Sequence, residues 1–320
     1  MGYSDLKTRL KHVAFTTATP FTPDGADVAR EHLAENLQAV ADAGGRLFLP
    51  CGNTGEYDSL TDDERVAVVE THVDTLGADA TVVGGVGGSL GAARELIDRY
   101  ERAGADAVMV MPPDHTYAHE RGLVEYYESL AAATDLGLVV YKRGPRVTSD
   151  VLFEISTLEN VVGMKYAVND VAEFARMADS VPGDIVWLNG IAERFAPSFG
   201  LEGADGFTTG VGNFVPEATL ALFGAIRAGD WDRARRVRNL LTPYENLRDE
   251  PGEGNRLDSA YNIPAVKYGM ELAGLYGGPV RPPLAGLSDE AKERARDQYE
   301  RIASTDFDSD SVRVSSAEPS

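Results

Sequence analysis

The stretch NVVGMKYA (residues 160–167) places a lysine, Lys165, inside a run of apolar residues. The run lacks the alternation of polar and apolar residues that marks a half-exposed strand, so it predicts a strand buried on both faces, as in a parallel sheet. Only six of the thirty basic residues are lysines, and Lys165 is the one that lies in the middle of such a strand. The stretch therefore indicates a parallel sheet and raises the question of what a buried lysine does there.

Seven further apolar runs alternate with amphipathic helical stretches along the chain. They are HVAFTTA near residue 12, RLFLPC at 46, TVVGGV at 81, AVMVMPP at 107, LGLVVYK at 136, IVWLNG at 185 and DGFTTG at 205. Together with the run at 161 they give eight strand-then-helix units in about 230 residues, which predicts an α/β fold, the TIM (β/α)8 barrel. Thr61 and Glu64 form a capping-box pattern, which predicts a helix that begins at Thr61.

The chain divides into three predicted parts. Residues 1–228 hold the eight units and form the barrel, which we expect to be the catalytic domain. Residues 229–303 contain no strand pattern and are typical of three helices, so they predict a C-terminal helical extension. Residues 304–320 are polar and acidic with almost no large apolar side chains, and we expect them to be a disordered tail.

The charge of the chain is strongly negative, with a formal net value of −21 at pH 7. Acidic residues lie on the polar faces of the predicted helices, and such a surface repels polyanions. Neither nucleic acid nor an anionic membrane is therefore expected as a partner. The scarcity of lysine, the preference for arginine and the surplus of acids suggest a halophilic protein from a cytoplasm kept at high salt, where charges are strongly screened.

Several classes of protein are excluded by what the sequence lacks. Cys51 is the only cysteine, so no intrachain disulfide or cysteine-based metal cluster is possible, and the five histidines show no metal-binding spacing. We expect neither a metal nor another cofactor. The first residues lack the apolar segment of a signal peptide, and no apolar stretch approaches the roughly twenty residues of a membrane span. These absences predict a soluble cytoplasmic protein.

Lys165 ends the sixth predicted strand, and catalytic groups in a parallel barrel lie at the C-terminal ends of the strands. Burial disfavours the ammonium form and lowers the pKa of a lysine towards that of a neutral, nucleophilic amine. Such an amine attacks a ketone and forms a Schiff base. The alternative is a structural lysine that pairs with a nearby carboxylate, such as that of Asp170 or Glu56. Position alone favours neither interpretation.

Two neighbouring features fit a ketoacid site. Tyr141 ends the fifth predicted strand, where a phenol can relay protons between an amine and a substrate, although an aromatic side chain at a strand end usually serves packing. Residues 52–56 form a glycine-rich turn after the second strand, which we call the 52–56 loop. The Thr54 hydroxyl and the backbone N–H groups of this loop are suited to holding a small carboxylate.

These motifs together resemble the dihydrodipicolinate synthase and N-acetylneuraminate lyase superfamily of class I aldolase-like TIM barrels. The resemblance covers roughly residues 8–303, and its motifs are Gly52-Asn53-Thr54-Gly55-Glu56, Tyr141 and the GMK that contains Lys165. It implies that Lys165 forms the Schiff base, that Tyr141 relays protons and that Asn53, Thr54 and Gly55 bind the substrate carboxylate. It also implies a homotetramer.

Departures from the superfamily pattern narrow the expected reaction. Asn53 replaces the first of two adjacent threonines, and residues 113–115 (Pro-Asp-His) stand where the synthases carry paired aromatics. The phrases TGEYDSLT, VVYKR, GNFVPEATLALFGAIRAGD and GGPVRPPLAGLS resemble 5-dehydro-4-deoxyglucarate dehydratases. The resemblance implies dehydration of 5-keto-4-deoxy-glucarate, or of 2-keto-3-deoxy-xylonate or -arabinonate, to 2,5-dioxopentanoate.

Other residues are weaker candidates for substrate binding. Arg143 and Arg146 follow Tyr141 and are suited to meeting a substrate hydroxyl or distal carboxylate, or to forming a surface salt bridge. Gly190, Thr208 and Thr209 end the seventh and eighth strands and are expected to line the site. Two other functions stay open: a 2-keto-3-deoxy-gluconate-type aldolase that releases pyruvate through the same imine, and a non-catalytic sugar-acid sensor.

Overall fold

Eight parallel strands close into a barrel in the computed structural model, which describes residues 2–307. The strands are β1 (Val13–Phe15), β2 (Leu47–Phe48), β3 (Thr81–Val86), β4 (Ala107–Val110), β5 (Gly137–Lys142), β6 (Val161–Tyr166), β7 (Val186–Asn189) and β8 (Gly206–Thr209). Each strand pairs with the next along the chain, and β8 pairs with β1. The predicted (β/α)8 barrel is confirmed.

The helices follow the strands in alternation. The first helix, α1 (Tyr3–Leu10), precedes β1. Eight helices follow β1 to β8 in turn: α2 (Arg30–Asp42), α3 (Asp62–Leu76), α4 (Leu90–Arg102), α5 (Glu120–Ala131), α6 (Ser149–Ile155), α7 (Val171–Ser180), α8 (Ala196–Leu201) and α9 (Pro216–Arg227). The C-terminal helices are α10 (Trp231–Arg248), α11 (Asn262–Leu272) and α12 (Asp289–Ala303).

The predicted capping box at the start of α3 is confirmed. The backbone N–H of Glu64 donates to the Thr61 hydroxyl at 3.3 Å, and the N–H of Thr61 donates to a Glu64 carboxylate oxygen at 2.9 Å. Two N–H groups of the first helical turn, which have no partner within the helix, are thereby satisfied. The capping box anchors the polypeptide that leads out of the 52–56 loop.

Alternation of side chains along the strands separates two apolar layers. One side of each strand faces the surrounding helices, and the other side fills the barrel interior. The interior cluster includes Leu47, Val83, Met109, Val139 and Leu188, together with Leu6 and Leu10 of α1. Because α1 precedes β1 and packs in this cluster, the N-terminal end of the barrel is filled with apolar side chains. The C-terminal end is left for polar groups.

The C-terminal helices pack on the barrel helices, with α10 contacting α9 and α12 contacting both α10 and α11. The predicted disordered tail begins at 304, but residues 304–307 are described. Phe307 packs against the core, and its carbonyl accepts a hydrogen bond from Arg233 at 2.5 Å. Residues 308–320 of the predicted tail lie outside the described residues. Within residues 2–307, no helix combines the length and apolarity that crossing a membrane requires.

Candidate active site

A cavity of about 720 Å³ opens at the C-terminal ends of the strands. Strand ends and the C-terminal helices both contribute to its lining, which includes Asn53, Thr54, Tyr141, Arg143, Lys165, Gly190 and Thr208 from the sequence predictions. A second groove of about 570 Å³ lies at the opposite end of the barrel, around Tyr3, Glu128 and Asp135. Since it contains none of the predicted site residues, we place the candidate active site in the larger cavity.

Lys165 points into the barrel from β6 and is 4% exposed. Its Cα is in register with that of Tyr141 on β5, and its Nζ lies 4.4 Å from the centroid of the Tyr141 ring. Gly190 makes room for the side chain, because a Cβ at this position would lie 2.9 Å from Lys165 Cγ and 2.8 Å from Ala167 Cβ. The three adjacent strands β5, β6 and β7 therefore define the position of the amine.

Lys165 is unpaired. No ion pair or hydrogen bond joins it to another residue in the range 2–307. Glu56 pairs instead with Lys267 at 2.5 Å, and Asp170 caps α7 by accepting from the N–H of Glu173 at 2.8 Å. The interpretation of Lys165 as a structural lysine paired with Asp170 or Glu56 is therefore wrong.

Burial, with a smaller contribution from the Arg143 guanidinium, lowers the pKa of Lys165 to about 7. Desolvation destabilises the ammonium, and a neighbouring positive charge acts in the same direction. A large fraction of the side chain is therefore the neutral amine near neutral pH. This is the form that can act as a nucleophile towards a ketone.

Tyr141 lies on β5, beside the strand that carries Lys165, and contacts the 52–56 loop. Its hydroxyl accepts a hydrogen bond from the Asn53 side-chain amide at 3.2 Å. Burial raises the pKa of Tyr141, although Arg143 and Asn53 act against this shift. The phenol is therefore protonated at neutral pH and has a proton to donate at the position next to the Lys165 amine.

The 52–56 loop brings Thr54 to the cavity through two unusual backbone bends. Cys51 and Glu56 both have a φ of 56°, in the left-handed region that non-glycine residues rarely adopt. The Thr54 hydroxyl lies 3.2 Å from that of Thr16, which in turn donates to the carbonyl of Thr209 at 2.6 Å. Thr16, at the end of β1, also lines the cavity and was missed by the sequence analysis.

Two predicted binding residues lie behind the lining. Gly55 packs against the backbone of Thr17 and accepts a hydrogen bond on its carbonyl from Thr19 at 2.8 Å. The Thr209 hydroxyl accepts from the N–H of Gly212 at 2.7 Å, outside the barrel interior. Its neighbour Thr208 does line the cavity. Neither Gly55 nor Thr209 is among the lining residues.

Arg143 is exposed at the edge of the cavity. Among residues 2–307 no carboxylate forms an ion pair with it, so the alternative of a surface salt bridge is wrong for Arg143. It is confirmed for Arg146, which pairs with Asp114 at 2.7 Å. The Arg143 guanidinium, which carries no carboxylate partner among these residues, can bind an anion.

A buried charged cluster beside β8 was also missed. Arg248 of α10 forms an ion pair with Glu245 at 2.7 Å and donates to the Asn262 side chain at 2.9 Å, and all three residues line the cavity. Burial and the nearby Glu245 carboxylate raise the pKa of Glu193 to about 8. In sequence, Glu245 and Arg248 have the spacing of an ordinary surface pair on a helix, so no signal distinguished them.

Among the described residues, no group of three or more His, Cys, Asp or Glu side chains is arranged to hold a metal ion.

Comparison with known proteins identifies the family. Residues 9–302 match the dihydrodipicolinate synthetase family. A probable 5-dehydro-4-deoxyglucarate dehydratase 1 of Streptomyces avermitilis is 33% identical over 294 residues, covering 88% of this chain and 90% of that protein. A 4-hydroxy-tetrahydrodipicolinate synthase of Methanothrix thermoacetophila is 30% identical over 294 residues, which cover 89% of this chain and 94% of that protein.

Solved structures agree with this assignment. The crystal structure of dihydrodipicolinate synthase from Oceanobacillus iheyensis superposes with a TM-score of 0.88 at 30% identity, covering 93% of this chain and 98% of that one. The match over most of the chain, in sequence and in structure, confirms the resemblance predicted from the motifs. The chain belongs to the dihydrodipicolinate synthetase family.

Proposed function

We propose that this protein is a Schiff-base lyase that dehydrates a 2-keto-3-deoxy sugar acid to 2,5-dioxopentanoate (2-oxoglutarate semialdehyde). The observation that carries the proposal is the unpaired Lys165, whose pKa is lowered to about 7 and whose Nζ lies 4.4 Å from the Tyr141 ring centroid. The dehydratase name of the Streptomyces avermitilis relative also supports a lyase of the dehydratase type.

In the first step the Lys165 amine adds to the C2 ketone of the substrate. Loss of the carbinolamine hydroxyl as water gives an iminium ion, which acidifies the C3 hydrogens because it withdraws electrons from the adjacent carbon. Tyr141 is placed to protonate the departing hydroxyl and to take up a proton afterwards. Its position between the amine and Asn53 supports this role.

In the second step the C3 proton leaves to form an enamine, and the enamine expels the C4 hydroxyl as water. Tautomerisation and hydrolysis of the imine then release the product and regenerate the amine. A 2-keto-3-deoxy-pentonate, from xylose or arabinose, loses one water overall. A C6 diacid, 5-keto-4-deoxy-glucarate, also loses its distal carboxylate as CO2 and gives the same product.

Substrate binding is assigned to groups that accept or neutralise a carboxylate. Asn53, Thr54 and the N–H groups of the 52–56 loop hold the C1 carboxylate opposite the amine. Arg143 meets a substrate hydroxyl or a distal carboxylate, as its unpaired guanidinium supports. Gly190 and Thr208 border the substrate on the side of β7 and β8. Gly55 contributes through its backbone, and Thr209 is retained as a proposed binding residue acting through its carbonyl contact with Thr16.

A second function of the same family also has to be considered, because one relative is named a 4-hydroxy-tetrahydrodipicolinate synthase. Residues 113–115 (Pro-Asp-His) lack the paired aromatics expected of a synthase, and this difference favours the dehydratase. An aldolase would use the same imine but break a carbon–carbon bond. Product analysis separates these functions, since an aldolase releases pyruvate and an aldehyde, whereas a non-catalytic sensor releases nothing.

Borohydride trapping tests the proposal. Protein is incubated with 2-keto-3-deoxy-xylonate, 2-keto-3-deoxy-arabinonate or 5-keto-4-deoxy-glucarate, then reduced, digested and examined by mass spectrometry. We expect an adduct on the peptide that contains Lys165, and 2,5-dioxopentanoate in unreduced samples. The other five lysines of the chain serve as internal controls. An adduct on Lys142 instead, or no adduct with any substrate, would refute the mechanism.

A further inference from the structure

A buried ion pair ties the 52–56 loop to the C-terminal helices. Lys267 of α11 places its Nζ 2.5 Å from Oε1 of Glu56, the last residue of the loop. The Glu56 side chain is 0% exposed and that of Lys267 is 3% exposed. The ammonium also donates to the carbonyl of Pro279 at 2.6 Å and lies 4.4 Å from the centroid of the Phe21 ring.

The free energy of the Lys267–Glu56 pair does not by itself explain why these two charges are buried. Removing two charges from water costs free energy that their attraction recovers only when the geometry is very good, and an apolar pair of the same volume often does as well. Here the Lys267 ammonium, 2.5 Å away, is the only partner that residues 2–307 give to Oε1 of Glu56. Burial lowers the pKa of Lys267 and the Glu56 carboxylate opposes that shift, so the two charges depend on each other.

The location of the pair indicates what it does instead. Glu56 has a φ of 56°, one of the two left-handed bends that bound the loop. Such a backbone conformation persists in a non-glycine residue only when the surroundings hold it. Asn53 and Thr54 lie between the bends, and the direction of their side chains depends on both bends.

A second connection from the same C-terminal segment reinforces the first. The backbone N–H of Arg281 donates to the other carboxylate oxygen of Glu56 at 3.2 Å. The Arg281 side chain donates to the carbonyl of Ser59 at 2.9 Å and pairs with Glu64 at 2.6 Å. Glu56 therefore receives groups from α11 and from the segment that follows it, and the exit of the loop is held as well.

We propose that Lys267 is a positioning residue that, through its ion pair with Glu56, holds Asn53 and Thr54 in the geometry that binds a substrate carboxylate. The inference rests on the proposed role of the 52–56 loop in the dehydratase. It gives the C-terminal helices a part in the active site, because without Lys267 the bend at Glu56 loses its charged partner.

Binding of pyruvate provides the test, because pyruvate is the smallest ketoacid that presents a carboxylate to the loop and a ketone to Lys165. The variants are Lys267→Met, Glu56→Gln and the double variant, with Lys292→Met as control. Lys292 forms a pair with Asp289 at 3.6 Å and is 44% exposed on α12. Pyruvate affinity is measured by calorimetry, and each variant is examined by circular dichroism well below its melting temperature.

We expect Kd for pyruvate to rise at least tenfold in both single variants and to stay at the wild-type value in Lys292→Met. Because the two residues act as one unit, Kd of the double variant should not exceed that of the single variant that binds pyruvate more weakly. At saturating pyruvate, borohydride should still label Lys165 in every variant. A merely structural role would lower the melting temperature and leave the affinity of the folded protein unchanged.

Each other outcome has a defined meaning. Folded variants with wild-type affinity, or losses that add in the double variant, would overturn the inference. If Lys267→Met does not fold, wild-type affinity in Glu56→Gln alone would overturn it. Wild-type protein that binds pyruvate but dehydrates no sugar acid would overturn the proposed function only. Wild-type protein that neither binds nor traps pyruvate would overturn both.

Discussion

At the residue scale, the proposed proton chemistry depends on two buried groups, a lysine that must lack its extra proton and a tyrosine that must keep its proton. Burial favours the uncharged form of both Lys165 and Tyr141, so one is a neutral amine and the other a neutral phenol. The amine can attack a carbonyl, and the phenol can give a proton to the hydroxyl that forms. The same desolvation therefore suits Lys165 to the proposed role of nucleophile and Tyr141 to the proposed role of acid.

The roles proposed for Tyr141 and Thr54 predict different kinetic defects. Tyr141→Phe should lower kcat by roughly 10²–10⁴-fold with little change in binding, since it removes general acid–base help. Thr54→Ala should mainly raise KM, because a substrate carboxylate is present in both the ground and the transition state. The loss of one hydrogen bond to that charge should cost about 1.5–3 kcal/mol.

Steady-state kinetics of the two variants with the same sugar acid make this comparison. Some fall in kcat is expected for Thr54→Ala as well, because a displaced carboxylate misaligns the C2 carbonyl with Lys165. Thr54→Ser keeps the hydroxyl and serves as the matched control. If Tyr141→Phe raised only KM while Thr54→Ala abolished turnover, the two roles would be reversed.

The lowered pKa of Lys165 predicts a pH-dependent cost in stability. The unfolded lysine has its ordinary pKa near 10.5, and the folded one has about 7, so the unfolded state binds more protons between these values. The contribution of Lys165 to the free energy of unfolding is therefore least favourable below about pH 7 and improves as the pH rises. Lys165→Met should stabilise the protein by on the order of a few kcal/mol at neutral pH and by much less near pH 10.

Urea unfolding at several pH values between 6 and 10 measures this difference. The control is Lys292→Met, a replacement on the surface of α12. It should change the free energy of unfolding only slightly, and by the same amount at every pH. A gain for Lys165→Met that did not shrink between pH 7 and pH 10 would show that the buried amine is not the cause.

At the scale of elements, the start of α3 is where the 52–56 loop joins the helical layer. Glu64 takes part in the capping box with Thr61 and also pairs with Arg281 of the C-terminal segment at 2.6 Å. One carboxylate thus satisfies the first turn of the helix and fastens the segment that crosses it. The cap is the part of this arrangement that can be removed alone.

Thr61→Ala should destabilise the protein by about 1 kcal/mol, because the N–H of Glu64 loses its side-chain acceptor. The urea midpoint should fall with an unchanged slope, which indicates lower stability without a change in the exposed surface. Thr61→Ser retains the capping oxygen and should stay close to wild type. Equal stability of the alanine and serine variants would contradict the prediction.

At the scale of the whole molecule, the charge predicts a dependence on salt. With 51 acidic and 30 basic residues, carboxylates repel one another over a Debye length of ~30 Å in dilute buffer and ~3 Å at 1 M salt. Melting temperature and activity should therefore rise with KCl up to molar concentration. Choline chloride at equal ionic strength should act similarly if screening is the cause, and a melting temperature that does not change would refute the prediction.

The family resemblance predicts assembly into a homotetramer. Static light scattering in molar KCl should give about four times the chain mass of 34.4 kDa. The measurement belongs at high salt, because repulsion between acidic subunits weakens at short Debye length. A mass near that of one chain would contradict the expected assembly.

The barrel and the central pair of the site were predictable because both depend on local patterns. Apolar runs without alternation report strands buried on two faces, and the C-terminal ends of such strands meet at one end of a barrel. Lys165 and Tyr141 therefore had to lie near each other once their strands were recognised. Thr208 and Thr209 show the limit of this reasoning, since adjacent residues on a strand face opposite sides and only the structure shows which faces the cavity.

What the sequence alone determined is thus the order of the strands, the capping box of α3 and the residues at the strand ends, all of which follow from neighbours a few positions apart. The tertiary structure alone decided which charges meet. Arg281 and Glu56 are 225 residues apart, and Arg248 on α10 resembles a surface arginine until its guanidinium packs against Gly210, just after β8. Residue periodicity reports whether a side chain is buried, but the partner of a buried charge depends on how distant segments close around it.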